Sequence, residues 1–73
     1  MAEDRIAGTV IRVVRDRGFG FLRATASGVE YFFHRSAMVG DPRTFDTITM
    51  GTAVQFDAMQ GSKGPRAERV EVV

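Results

Sequence analysis

The sequence contains no cysteine. A disulfide framework and a thiolate metal cage are therefore excluded, and apolar packing and topology must hold the fold. The same absence fits a reducing compartment. No apolar run approaches the eighteen or so residues of a membrane span. Met1 to Arg5 is polar and acidic and does not resemble a secretory signal, so a soluble cytoplasmic protein is expected. Charge of one sign is also lacking. Ten Lys and Arg against nine Asp and Glu give a net charge of +1, which is no global argument for nucleic acid. There is a single histidine, too few ligands for zinc. His34 and Ser36 lie two apart, but no acid is placed by the sequence to complete a triad, so neither an enzyme nor a cofactor is expected. Seventy-three residues make one domain, 1–73 with a core of about 5–72, and leave no room for a second catalytic lobe or a Rossmann unit.

Helical spacing is missing from every window of eleven or more residues, and short β-branched and aromatic runs punctuated by Gly and Pro stand instead. Ile6 to Val14 reads as a first strand. The adjacent apolar pairs Val10-Ile11 and Val13-Val14 break its alternation and predict a bend or bulge. Gly18 to Ala24, Val29 to His34, Thr52 to Gln60 and Arg66 to Val73 read as four more, the last with Val70 and Val72 inward. Five strands without a helix of substance would expose their edges as an open sheet. The expected fold is all-β, a five-stranded antiparallel Greek-key barrel of the oligonucleotide-binding type.

The aromatic residues carry the functional reading. Alternation puts Phe19 and Phe21 on one side of the second strand, opposite Gly18, Gly20 and Leu22. In the third strand Tyr31 and Phe33 can fill the core, and Phe32 and His34 then join Phe19 and Phe21 on an outward platform. A barrel of this length has little room to bury all of these rings together with Phe56. Arg15, Arg17 and Arg23 flank the platform and are expected to neutralise phosphates while the rings stack on unpaired bases. The stretch Arg12 to Arg23 carries a local +3 and Lys63 to Arg69 a local +2. If the two meet in space they form a basic stripe.

Gly8-Thr9-Val10, Arg17-Gly18-Phe19-Gly20-Phe21-Leu22, Tyr31-Phe32-Phe33-His34-Arg35-Ser36-Ala37-Met38 and Gly61-Ser62-Lys63-Gly64-Pro65-Arg66-Ala67 together resemble the cold-shock domain family. The likeness runs from about Arg5 to Val72. It implies a five-stranded barrel that binds single-stranded RNA and DNA, in many members as an RNA chaperone or regulator of gene expression. Carried over by position, Phe19 and Phe21 match the stacking aromatics of the first motif, and Phe32 and His34 those of the second. Phe45 matches a further base-contacting aromatic in the long loop, across a two-residue insertion near Asp41 to Thr44. Lys63, Pro65 and Arg66 match the turn that borders the binding groove, and Arg17 stands where the family usually has Lys.

The departures fall on stacking positions. Where the family continues with Lys-Trp-Phe-Asn, this chain has Ile11, Arg12, Val13 and Val14, so Arg12 replaces a tryptophan. Arg35 stands where a further aromatic can follow the family's histidine. Arginine can stack on a base and also pair with phosphate, so weaker stacking and stronger salt dependence are expected. An RNA-recognition-motif fold also fits Arg17 to Phe21, but it needs two helices. The alternative of another class is a small-barrel protein-interaction module, supported by Arg12, Val14 and Arg35. Flat rings interleaved with arginine suit bases and phosphates better, so the expected partner is single-stranded RNA or DNA, bound by a monomer, with no membrane and no small-molecule substrate.

Overall fold

A computed structural model describes residues 5–40, 42–62 and 64–73. Five strands form in chain order: β1 (Ile6–Val14), β2 (Phe19–Ala24), β3 (Glu30–His34), β4 (Ala53–Gly61) and β5 (Gly64–Val72). They close into a barrel in the order β1-β2-β3-β5-β4. A closed ring of five strands cannot alternate direction throughout, so one neighbouring pair must run parallel. That pair is β3 and β5, joined at Phe32 and Arg66; the other four pairings are antiparallel. The expectation of antiparallel strands thus holds except at the closing seam.

The bulge read from the adjacent apolar residues of β1 is present. Val10 faces Leu22 and Arg12 faces Phe21, which leaves Ile11 as the extra residue. The chain just before β4 joins β1 at this point, with the Val10 N–H donating to the Thr52 carbonyl and the Gly51 N–H to the Val10 carbonyl.

Short 3-10 turns link the strands at Arg15–Arg17, Arg35–Ala37 and Pro42–Asp46. Gly18 ends the first of them at φ 76°, a left-handed conformation open to glycine at little steric cost. Among the described residues no helix is long and apolar enough to cross a membrane.

Phe33, Phe45, Phe56, Leu22, Ile48, Val10, Val54 and Val70 are the largest fully buried side chains. Two glycines make room for the rings. A Cβ on Gly20 would lie 2.6 Å from the Arg12 carbonyl oxygen and 2.9 Å from Phe33, and one on Gly8 would lie 2.9 Å from Phe56. Tyr31 packs on the core against Phe56, ring centres 5.0 Å apart.

One burial expectation holds only in part, since Val72 pairs with the buried Val54 but ends its strand. Val70 is buried, but Val72 is 41% exposed. The inward residues of β5 are Ala67 and Val70, three apart, because Arg69 takes a left-handed φ of 52° and inserts an extra residue opposite β4. Val72 is the last residue of its strand, at the margin of the core.

Candidate nucleic-acid interface

Registered pairs of a sheet project to the same face, so the cross-strand register builds the candidate site directly. One row runs Arg12 (β1), Phe21 (β2), Phe32 (β3), Arg66 (β5) and Met59 (β4). The next runs Val14, Phe19 and His34. Between them the row Val13, Gly20 and Phe33 points inward. The alternation that buries Phe33 therefore lifts Phe19, Phe21, Phe32 and His34 together onto the outer face.

The three phenylalanines form one cluster. Phe19 and Phe32 are 5.4 Å apart between ring centres, and both lie 5.9 Å from Phe21 or less. Phe19 meets Phe21 edge-on at 88°, and Phe21 meets Phe32 at 73°. These contacts stabilise the rings as a group while leaving each partly exposed. His34 is exposed beside them. Its Nδ1 accepts the backbone N–H of Ser36 at 3.1 Å and lies 2.9 Å from the Ser36 hydroxyl. The neutral imidazole therefore carries its hydrogen on Nε2, which leaves that N–H as a donor. The His34–Ser36 pair is thus an N-cap on the 3-10 turn that follows β3.

A cleft of about 380 Å³ opens where Phe21 and Phe32 meet the β4–β5 hairpin, lined also by Gly61, Ser62, Gly64, Pro65 and Arg66. Pro65 and Arg66 thus border the rings as expected. Lys63 lies outside the described residues. Gly61, Ser62 and Gly64 were not singled out as site residues, although the Gly-x-Lys-Gly-Pro pattern already marked their turn.

The arginines divide into two groups. Arg12 and Arg17 are exposed, and neither side chain has a hydrogen bond or ion pair among the described residues. Arg35 lies over the Phe45 ring, 5.8 Å from its centre. Arg66 donates from Nε to Glu68 at 2.7 Å, and Arg23 pairs with Glu30 at 3.0 Å.

Two expectations are corrected here. Phe45 does not lie on the surface: it is 0% exposed, packed edge-on against Phe33 at 6.2 Å and covered by Arg35. Its turn, Pro42–Asp46, folds the ring into the core, so it offers no face to a base. Arg15 does not reach outward for a phosphate either. It donates to the carbonyls of Phe45 (2.7 Å) and Ile48 (2.6 Å) and fastens the long loop to the end of β1. Acceptors thirty and more residues away leave no trace in local sequence.

Among the described residues no three His, Asp or Glu side chains gather as metal ligands.

Residues 6–73 match the model of the "Cold-shock" DNA-binding domain. The chain belongs to the cold-shock domain family. It is 38% identical to the cold shock-like protein CspLB of Listeria monocytogenes over 63 residues, 86% of this chain and 91% of that one. It is 33% identical to the cold shock-like protein CspC of Escherichia coli over 69 residues, 94% and 97% of the two chains. Among solved structures, Drosophila Unr CSD456 superposes with a TM-score of 0.76 at 26% identity, over 99% of this chain and 28% of that one. The cold-shock domain is a nucleic-acid-binding type, and this member keeps the aromatic rows of its two motifs while carrying arginine at positions 12 and 35.

Proposed function

We propose that this cold-shock domain binds single-stranded RNA or DNA by stacking unpaired bases on Phe19, Phe21, Phe32 and His34. The observation that carries the reading is the clustered, partly exposed ring triad standing directly above a separate buried set of rings. Rings left half-exposed outside the core contribute less to stability than buried ones, and a flat hydrophobic surface rimmed by cations fits a base with its phosphate. Arg12, Arg17, Arg35 and Arg66 supply the rim, and Gly61, Ser62, Gly64 and Pro65 border one end of the cleft; Lys63, which lies outside the described residues, is a further candidate cation by its place in the sequence.

Stacking is tolerant of sequence because every base has a flat face, so base preference is slight. A binder of this kind holds unpaired segments open by mass action, since it stabilises only the unpaired state. That is the physical basis of an RNA chaperone or a regulator of gene expression, acting as a cytoplasmic monomer without catalysis.

The test is a titration of oligothymidine, the matching RNA and a duplex of the same length at two salt concentrations. Single strands bind and the duplex binds poorly, because paired bases cannot reach the rings. Equal affinity for the duplex refutes stacking. Failure of any strand to bind returns the protein-interaction reading.

A further inference from the structure

The outward row does not stop at Arg12. On the side of β1 away from Phe21, the segment before β4 lies against the bulge through its hydrogen bonds to Val10. Met50 is part of this segment and is 74% exposed. Arg12, Val13, Arg15, Thr49 and Met50 line a second, shallow groove of about 450 Å³ there.

Two properties define what fits this groove. Its cations are uncompensated: Arg12 has no partner among the described residues, Arg15 donates to neutral carbonyls, and no carboxylate lines the groove. Of its remaining walls, Met50 and the half-buried Val13 are apolar, and Thr49 is polar. A ligand with one negative charge beside a flat apolar face matches both. A nucleotide is such a ligand, because a thioether makes favourable contact with an aromatic ring and a guanidinium attracts phosphate. Continuity selects the source. Arg12 belongs both to the ring row and to the groove, so a strand lying on Phe32 and Phe21 runs into the groove over Arg12.

We propose that this second groove receives one further nucleotide of the bound strand, beyond the last ring. Met50 carries its base, and Arg12 attracts its phosphate, while Arg15 is held to the loop carbonyls beneath. This rests on the single-strand reading above.

The experiment is an oligothymidine series in one-nucleotide steps, spanning the roughly 4–16 nucleotides that barrels of this type cover. It is titrated into the parent chain and into Met50→Asp, with thermal unfolding confirming that the exposed substitution leaves the fold intact. Affinity for the shorter oligomers is unchanged. For oligomers long enough to reach the groove, Met50→Asp weakens binding by at least about two-fold, and by about twelve-fold if the thioether contact is at the strong end of its range. In the parent chain, the Met50 methyl resonance moves with the long oligomers and not with the short ones. A Met50→Asp series that superimposes on the parent series, or one that falls equally at every length, overturns the groove assignment while leaving the platform standing. Absence of binding at all lengths overturns the platform reading itself.

Discussion

Phe32 and Phe33 are sequence neighbours whose removal has opposite expected effects. Phe33 is completely buried, meets Phe45 edge-on, and fills the space that Gly20 leaves by having no Cβ. Phe33→Ala therefore leaves a cavity in a small core and costs about 3–5 kcal/mol. A domain of this length has a total stability of about 4–11 kcal/mol, so the substitution removes a large share of it. At about 4–8 °C per kcal/mol the melting temperature falls by about 12–40 °C. Phe32 is partly exposed and leaves no cavity. It does touch Phe19 and Phe21, so Phe32→Ala gives up ring contacts and costs about 1–2 kcal/mol of stability. Its main effect is on binding, a loss of about 1–3 kcal/mol, roughly five- to 150-fold in affinity. Circular-dichroism melts and a single-strand titration on the same two variants separate the effects. Phe32→Ala melting as low as Phe33→Ala refutes the facing of β3. Phe32→Ala binding like the parent refutes the platform as the stacking surface.

Arg12 stands opposite Phe21 on the outer face, so Arg12→Trp adds a ring to the row. Single strands then bind more tightly at about 200 mM salt, and the slope of log affinity against log salt becomes shallower by about 0.7; weaker binding at that salt means that Arg12 is itself a positioned contact. Arg15→Met removes the two donors that fasten the long loop and lowers stability by about 1.5–3 kcal/mol in a denaturant melt, whereas an unchanged midpoint means that the loop is held without them.

The barrel was legible because β-strand periodicity is short-ranged. Alternation over five or six residues suffices to face Phe19, Phe21 and Phe32 outward and Leu22 and Phe33 inward, and adjacent apolar pairs betray the bulge at Ile11. It was not legible at Arg69. A left-handed arginine sets the buried Ala67 and Val70 three apart on β5, a spacing that simple alternation does not allow, and it is held by contacts from distant residues: Arg5 donates to its carbonyl, and Asp57 pairs with its Nε at 3.3 Å. Phe45 failed for a related reason. A loop residue has no period, and resemblance alone placed the ring on the surface. Whether it turns outward or inward is decided by Phe33 beneath it and Arg35 above it. The groove beside Met50 had no local sign at all, since it forms only when the segment before β4 meets the β1 bulge.

A nearly neutral chain can still present positive charge to a ligand if its other cations are occupied elsewhere. Arg5 pairs with Asp57 at 3.1 Å and Glu71 at 3.5 Å, and Arg69 shares Asp57, so these charges largely cancel along β4 and β5. Arg23 and Arg66 lean on Glu30 and Glu68. Arg12, Arg17 and Arg35 keep their charge without a carboxylate partner among the described residues. Three phosphate contacts on a single strand give a salt slope of about −2, and thus roughly a 20-fold loss of affinity between about 50 and 200 mM salt. Four stacked positions, at about 1–3 kcal/mol each, outweigh that loss. Stacking therefore dominates even though arginine has replaced a ring at position 12, and binding persists at moderate salt. The titrations that compare Arg12→Trp with the parent chain read this slope directly. A parent value near about −3.5 means that Arg23 and Arg66 leave their weak surface pairs for the strand, which raises the share of charge in the affinity.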